Sequence, residues 1–243
     1  LGLLTGQRDS LPERVISELV LPSSFDYKRQ VLLGVFEAMP PPTNDSFREH
    51  LERLLFHALS ISQGKAFVLF TSYELLHRMA KALERPLCLL GITLFKQGDM
   101  NRHRLLERFK ADVHSVLFGT DSFWEGVDVE GETLSNVFIT RLPFHVPKDP
   151  IIEARINAIT ERGGNAFLEY LVPQAVIRFK QGFGRLIRRK TDYGSVLIFD
   201  SRVIHKTYGI KFINSLPDCT TITGDNETVL DCLKNFIVER TLT

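Results

Sequence analysis

Apolar positions along the chain alternate between two patterns, and the alternation predicts helices between buried strands. A stripe at helical spacing runs from Phe47 to Leu59, and a continuous apolar run at 66–70 follows it. Such a run is typical of a strand that is buried on both faces. The same succession predicts further helices at 74–83, 102–110, 149–162, 165–190 and 227–238, and further strands at 87–95, 113–118, 137–141 and 195–199. The helix at 165–190 is expected to be interrupted or entered at Pro173. Because strands separated by helices of this length pair in parallel, we expect an α/β protein with a parallel sheet flanked by helices.

Residues 1–45 are predicted to be a lead-in segment that precedes the main domain. Ser10 and Glu13 have the spacing of a helix capping box, and an apolar run follows at 31–36. Three consecutive prolines at 40–42 then interrupt the chain. Since consecutive prolines favour an extended, semi-rigid spacer, we place the main domain at 46–243.

The composition allows one substantial core and confines the positive charge to one region. The chain has 243 residues, 44% of them hydrophobic, and a net charge of +1. The stretch 174–190 carries six basic residues and no acidic one, which leaves −5 for the rest of the chain. The positive field is therefore local, and it predicts a phosphate-bearing partner at one face of the molecule.

Cysteine content and hydropathy exclude several classes of protein. The three cysteines lack any CxxC spacing, so neither a disulfide framework nor a metal site is expected in this chain. No apolar run approaches the roughly 20 residues that span a bilayer, so we expect no membrane partner. The cysteine usage favours a reducing compartment, and we expect a cytoplasmic location. The chain begins at Leu1 rather than at methionine, and we expect it to be a fragment of a longer protein.

The basic stretch contains the strongest candidate for a phosphate site. Gln181, Gly184, Arg185 and Arg188 have spacings that bring them to one face of a helix. Arginine stays charged, and its planar fork matches phosphate oxygens. Gly182 and Gly184 each cost a helix about 1 kcal/mol relative to alanine, which indicates that a ligand or another backbone approaches closely. The alternative is a solvated basic helix end.

The loops after two predicted strands supply further candidates, since ligands bind open parallel sheets outside the carboxyl ends of the strands. Thr71, Ser72 and Tyr73 follow the strand at 66–70 and offer hydroxyl groups next to a helix start, where phosphate binds readily. Ser72 can equally serve only as the helix cap.

The loop at 119–128 is unusual because it contains the only tryptophan of the chain. Trp124 lies beside Phe123 in a loop where a plain connector would be small and polar. The aromatic pair can stack on a nucleic-acid base, or it can fill the bottom of the domain. The sequence leaves both alternatives open.

Five segments in a fixed order resemble a known family. They are FVLFTSY at 67–73, GTDSFWEGVD at 119–128, LPFHVPKDP at 142–150, QGFGRLIR at 181–188 and DSR at 200–202. Together they resemble the carboxyl-terminal half of bacterial DinG-type helicases, which are relatives of XPD within helicase superfamily 2. The resemblance extends from SSFDYKRQ at 23–30 to YGIKFINSLP at 208–217. It implies a RecA-like sheet of the P-loop NTPase type, serving as the second helicase domain.

The resemblance also implies a nucleotide-facing role for the segment at 181–188, which looks like helicase motif VI. Arg185 and Arg188 would act as arginine fingers on the γ-phosphate of ATP, an effect worth about 10³ to 10⁵ in rate in other enzymes. Gln181 and Gly184 would belong to the nucleotide cleft.

Contacts to DNA and to the rest of the nucleotide are implied for the segments that look like motifs IV and V. Thr71, Ser72 and Tyr73 would contact the DNA backbone, Thr120 would hold a strand phosphate, and we assign Trp124 to the strand as well. The nucleotide would be contacted by three further residues of the 119–128 loop, Glu125, Gly126 and Asp128, with Asp128 on the ribose.

The chain lacks the groups that hydrolyse ATP. It has no G-x-x-x-x-G-K-[ST] loop and no acidic box for magnesium; Gly64 and Lys65 precede their strand, and Ala66 replaces the magnesium-binding hydroxyl. In the family, ATP and Mg²⁺ are bound mainly by an amino-terminal helicase domain, which can also carry an iron–sulfur cluster. We therefore expect this chain to be inactive by itself.

The expected function is that of the carboxyl-terminal half of an ATP-dependent 5′ to 3′ DNA helicase. Its expected partners are single-stranded or forked DNA and the amino-terminal helicase domain of the same protein. The alternative is a RecA-like scaffold or nucleic-acid-binding module without ATPase activity. Loss of the finger arginines would favour that alternative, and both arginines are present.

Overall fold

One parallel sheet organises the part of the chain that the structure, a computed structural model, describes, namely residues 23–124, 134–144 and 149–241. The strands are β1 (Val31–Phe36), β2 (Ala66–Leu69), β3 (Thr93–Lys96), β4 (Ser115–Gly119), β5 (Asn136–Ile139), β6 (Gly194–Ile198) and β7 (Thr220–Gly224). Their order in the sheet is β3-β4-β2-β5-β6-β1-β7, and each neighbouring pair is parallel. The predicted α/β class with a parallel sheet is confirmed.

Helices connect the strands and cover both faces of the sheet. They are α1 (Tyr27–Gln30), α2 (Phe47–Ser62), α3 (Tyr73–Leu89), α4 (Arg102–Ala111), α5 (Asp121–Trp124), α6 (Pro150–Glu161), α7 (Val172–Phe183), α8 (Arg202–His205), α9 (Ile210–Ile213) and α10 (Asn226–Thr241), with a π-helical turn at Phe167–Leu171 before α7. Within the described ranges, no helix is both long enough and apolar enough to cross a bilayer.

Alternate strand residues enter two separate cores. In β1, Val31, Leu33 and Val35 belong to one core, whereas Leu32 and Phe36 belong to the other. The first core includes side chains of α4, α5, α7 and α9, and the second includes side chains of α2, α3 and α10. Because both faces are covered, these strands read as continuous apolar runs in the sequence.

The predicted domain boundary between residues 45 and 46 needs correction, because β1 is part of the main sheet. All six residues of Val31–Phe36 are buried, and the strand pairs with β6 on one side and with β7 on the other. The prolines at 40–42 therefore lie in the connection from β1 to α2 rather than in a spacer between domains. Ser10 and Glu13 lie outside the described residues.

The predicted strand at 87–95 is wrong for most of its length. Helix α3 continues to Leu89, and the strand comprises only Thr93–Lys96. Met79, Leu83 and Leu87 are buried at four-residue spacing along α3, so the leucine-rich run continues a helical stripe. Periodicity alone cannot assign a short apolar run of this kind.

Two further differences concern the second half of the chain. The helix predicted at 165–190 ends at Phe183, and the elements β7, α8 and α9 were not predicted. Strand β7 is an edge strand whose residues are mostly exposed, so it lacks the apolar signal of its neighbours.

Candidate functional site

The carboxyl ends of the central strands bring the first set of candidate residues to one edge of the sheet, which we call the strand-end edge. Thr71, Ser72 and Tyr73 follow β2, and Thr120 follows β4, its neighbour in the sheet. The side chain of Tyr73 is 51% exposed, whereas Thr120 is buried. The candidates for strand contact thus lie on adjacent strands, at the end of the sheet where ligands bind in this class of fold.

Ser72 has a structural role at this edge. It is the N-cap of α3, and its Oγ accepts a hydrogen bond from the backbone N–H of Leu75 at 3.3 Å. A cap of this kind stabilises a helix by about 1 kcal/mol. The capping alternative is therefore confirmed for Ser72, and its contact with DNA stays a prediction.

Gln97, which the sequence analysis missed, connects the two loops. Its Oε1 accepts hydrogen bonds from the backbone N–H of Thr120 at 2.7 Å and from the Thr120 hydroxyl at 2.9 Å. Its Nε2 donates to the hydroxyl of Tyr73. The available signal was its position directly after β3, at the same edge as the other candidates.

The assignment of Trp124 to direct strand contact is wrong, because the ring fills the interior. Trp124 is 0% exposed, and its Nε1 donates to the backbone oxygen of Phe70 at 3.2 Å. Phe123 is buried beside it. A ring in this position cannot stack on a base, so the second of the two sequence alternatives holds.

Gly182 explains how the tryptophan ring is accommodated. A Cβ at this position would lie 3.0 Å from two ring carbons of Trp124 and 3.2 Å from a methyl group of Leu69. The close approach inferred from this glycine is thus made by a side chain of the same domain. Gly184 has no such restriction, since its added Cβ would meet its nearest atom at 3.4 Å.

The two candidate arginines do not share a helical face with Gln181, which corrects the expectation from spacing. Helix α7 ends at Phe183 with Gly184 as its C-cap, so Arg185 and Arg188 belong to the 184–193 loop that leads into β6. Turn hydrogen bonds replace the helical ones here. The backbone N–H of Arg185 donates to the oxygen of Gly182, and that of Leu186 donates to the oxygen of Phe183.

Hydrogen bonds to Trp124, which is distant in the sequence, and to Asp192, within the loop itself, restrain the 184–193 loop. A guanidinium nitrogen of Arg185 donates to the backbone oxygen of Trp124 at 3.2 Å. The carboxylate of Asp192 accepts from the backbone N–H groups of Arg188 and Arg189 at 2.9 and 2.8 Å. Burial lowers the pKa of Arg188, and the negative charge of Asp192 partly offsets this effect.

Gln30 fixes the end of the same loop. It is 8% exposed, and its Nε2 lies within hydrogen-bonding distance of the backbone oxygens of Arg189, Lys190 and Asp192, at 3.3, 3.1 and 2.7 Å. The arginine-bearing loop is therefore restrained from two sides, by a side chain preceding β1 and by Asp192 within the loop.

Gln181 has a buried acceptor atom without a donor among the described residues. Its Oε1 is buried, and within the described residues it accepts no hydrogen bond. A buried acceptor without a donor costs about 1 to 3 kcal/mol. A donor from a ligand or from another domain would satisfy it, which fits the predicted position in a nucleotide cleft.

A second cluster joins the segments at 142–150 and 200–202. Asp200 is fully buried, and its carboxylate accepts from the backbone N–H of Leu142 at 2.8 Å and from the guanidinium of Arg202 at 2.6 and 2.9 Å. Burial acts to lower the pKa of Arg202, but the hydrogen bonds and charge of Asp200 outweigh it and raise the pKa. The guanidinium also lies 5.6 Å from the ring centroid of Phe144.

Three residues predicted to face the nucleotide, Glu125, Gly126 and Asp128, lie outside the described residues. The described chain immediately before them ends α5 at Trp124. Among the described residues, no group of three or more His, Cys, Asp or Glu side chains is placed to hold a metal ion.

Comparison with known proteins gives one consistent result. Residues 55–219 match the family described as the helicase C-terminal domain. The chain is 39% identical over 219 residues to the ATP-dependent DNA helicase YoaA of Haemophilus influenzae, an alignment that covers 90% of this chain and 34% of that protein. It is 38% identical over 204 residues to the ATP-dependent DNA helicase DinG of Photobacterium profundum, covering 82% of this chain and 29% of the relative.

The chain therefore spans about a third of the length of these relatives. A solved structure named XPD_APO has a TM-score of 0.60 to it at 19% identity, over 81% of this chain and 40% of that chain. At this identity the similarity concerns the fold, and it confirms the predicted RecA-like type.

Proposed function

Because the chain belongs to the helicase C-terminal domain family and has DinG-type relatives, we propose that it is the second motor domain of an ATP-dependent 5′ to 3′ DNA helicase. In this proposal, a first helicase domain of the same protein makes most of the contacts to ATP and Mg²⁺. The present domain closes over them and grips single-stranded DNA at its strand-end edge. The observation that carries the proposal is the run of contacts that joins this edge to the arginine-bearing loop.

That run of contacts passes through α5. At its start, Gln97 holds both the backbone and the hydroxyl of Thr120. At its end, the ring of Trp124 packs against Gly182, and the oxygen of Trp124 accepts from Arg185. A displacement at either end is transmitted through a buried side chain, because packed interiors deform little.

Arg185 and Arg188 are proposed to neutralise the charge that develops on the transferring phosphoryl group. Such stabilisation requires donors that are positioned before the reaction begins. The restraints on the 184–193 loop from Gln30, Asp192 and the Trp124 oxygen support this role. The buried Oε1 of Gln181 would then accept from a group in the closed cleft, to which Gly184, Glu125, Gly126 and Asp128 also belong in the proposal.

Thr71, Ser72, Tyr73 and Thr120 are proposed to contact the phosphates of one DNA strand. Hydroxyl and backbone N–H donors hold phosphates without reading sequence, as a translocating enzyme requires. The N-terminus of α3, at Tyr73, adds its partial positive charge to this edge. Opening and closing of the two domains would then move the grip along the strand.

Replacement of Arg188 by alanine in the intact protein tests the proposed catalytic role. We expect the ATPase rate in the presence of single-stranded DNA to fall about 10³-fold, because one charge of the transition state loses its partner. Binding of a labelled oligothymidylate should change by less than about twofold, since the predicted strand contacts lie at the other end of the run through α5.

Lys190→Ala provides the control, since Lys190 is an exposed cation of the same loop. It should retain nearly normal turnover. Normal turnover in Arg188→Ala together with weakened DNA binding would contradict the assignment. Absence of ATPase activity in the unmodified intact protein would favour the scaffold alternative.

A further inference from the structure

Arg141 lies at the strand-end edge and has no role in the function proposed above. In the sheet, Leu69 of β2 pairs with Ile139 of β5, which in turn pairs with Ile198 of β6. Two residues beyond these positions, the three strands continue into Thr71, Arg141 and Asp200. Arg141 therefore leaves the sheet between the proposed strand contact at Thr71 and the buried carboxylate of Asp200.

The guanidinium of Arg141 is half-buried, and its Nε has no acceptor among the described residues. It lies over the ring of Phe47, 4.8 Å from the centroid. Its Nε is buried, and within the described residues it donates no hydrogen bond. Stacking on a ring uses the face of the guanidinium and leaves the N–H groups, which lie in its plane, able to donate to an acceptor at the edge.

The acids near Arg141 are already engaged by other arginines. Asp200 accepts hydrogen bonds from both Nε and a terminal nitrogen of Arg202, and Glu74 pairs with Arg48 at 3.1 Å. Among the described residues, the charges that act on this point are therefore three cations, Arg141 included, and two carboxylates. Burial lowers the pKa of Arg141, and the charge of Asp200 offsets this only in part.

A charge held partly out of water without a hydrogen-bonded partner is unfavourable, and such a group in a cleft is a candidate for a ligand site. The missing partner must be anionic and must present oxygens to a planar donor. Phosphate meets both requirements, and arginine is the side chain that recognises it best.

We propose that Arg141 binds a backbone phosphate of the single-stranded nucleic acid that crosses the strand-end edge. This inference rests on the proposed function, because it assumes that the strand reaches the residues beyond β2 and β5. We prefer the strand over the nucleotide as the source of this phosphate, because Thr71, a proposed strand contact, follows β2, the neighbour of β5 in the sheet.

The test compares Arg141→Met with Arg85→Met in the intact protein. Methionine keeps most of the length of the side chain and removes the charge. Arg85 is an exposed arginine near the far end of α3 and provides the matched control. Binding of a dye-labelled oligothymidylate is measured by fluorescence anisotropy across a range of salt concentrations.

We expect Arg141→Met to weaken binding at least about tenfold, as does the loss of a hydrogen bond to a charged group. The slope of log K against log salt should decrease by about 0.7, the value for one phosphate contact on a single strand. Arg141→Lys should keep most of the slope and lose part of the affinity, because it retains the charge without the planar fork. Arg85→Met should change neither quantity.

Thermal unfolding separates this role from a structural one. Removing a half-buried cation whose Nε has no hydrogen-bond acceptor among the described residues should leave the protein as stable as before or make it more stable. An unfolding temperature that falls while the salt slope stays unchanged would show that Arg141 only supports Phe47, and would overturn the inference.

Further outcomes distinguish a failure of this inference from a failure of the proposed function. If Arg141→Met increases the KM for ATP and leaves DNA binding unchanged, the phosphate that Arg141 contacts belongs to the nucleotide. That result would overturn the inference. If the unmodified protein binds no oligothymidylate, the proposed function itself fails. If it binds and Arg141→Met binds with the same affinity and salt slope, only the present inference fails.

Discussion

At the scale of single residues, the pair formed by Gly182 and Trp124 brings α7 into close contact with α5. The indole ring occupies the volume that any larger residue at 182 would need, with 3.0 Å from an added Cβ to two ring carbons. The ring cannot retreat easily, because it is fully buried and bonded to the Phe70 oxygen. A glycine that looks like a ligand site in the sequence is therefore a packing site.

Gly182→Ala should destabilise the chain by about 1 kcal/mol. Overpacking against Trp124 costs about 1 to 3 kcal/mol, and the better helix propensity of alanine offsets about 1 kcal/mol of this. Urea unfolding measures the difference, with Gly184→Ala as control, since its added Cβ would make only an ordinary contact at 3.4 Å.

A double-mutant cycle with Trp124→Phe should recover part of the loss, because the smaller ring relieves the contact. If Gly182→Ala loses the same stability with Trp124 and with Phe at position 124, the close contact does not contribute to the loss.

At the scale of elements, the 184–193 loop carries the proposed catalytic arginines, and distant residues determine its shape. Its backbone oxygens at Arg189, Lys190 and Asp192 face the amide nitrogen of Gln30, at the end of α1. The loop also precedes β6, and Gln30 precedes β1, so the pairing of these two strands brings the groups together.

Gln30→Leu in the intact protein should reduce the ATPase rate about 10²-fold, since a displacement of about 1 Å at a catalytic group has an effect of this size. On an Arg188→Ala background, the same substitution should cause little further loss. Hydrogen exchange of the Arg188 and Arg189 amides, which donate to Asp192, should become faster. Slow exchange together with full turnover in Gln30→Leu would exclude a positioning role.

Elements with strong apolar patterns could be predicted from the sequence, and those defined by distant partners could not. Strands β2, β4, β5 and β6 were found because both faces are buried. Strand β1 was recognised as an apolar run but assigned to the lead-in, since nothing local reveals that it pairs with β6 and β7. The early end of α7 was missed because helical spacing of charged residues does not require a helix.

In the candidate site too, local features could be predicted from the sequence, and features that depend on distant residues could not. The sequence placed Thr71 and Thr120 after two predicted strands, and the sheet then brings these strands side by side. Burial of Trp124 depends on Gly182 and Phe70, which are far away in the sequence, and the local pattern fitted stacking and packing equally well. Gln97 and Arg141 are single polar residues after strands, and only their contacts distinguish them.

At the scale of the whole molecule, the sequence has the two arginines proposed to face a phosphate and lacks the motifs that hold ATP and magnesium. The chain contains neither a G-x-x-x-x-G-K-[ST] loop nor an acidic box. The 243-residue chain alone should therefore release no phosphate from ATP above background, with or without an oligothymidylate, although it folds. Phosphate release measured on the purified chain checks this, and turnover that disappears with Arg188→Ala would contradict it.

The single indole of this chain lies at the junction between the two proposed sites, which makes it an intrinsic optical reporter. Shielded from water, Trp124 should emit at shorter wavelengths than a solvated indole, and its quantum yield should respond to any shift of α7. Emission spectra of the unlabelled chain, titrated with oligonucleotide, would then follow the junction directly, because no second tryptophan contributes a background.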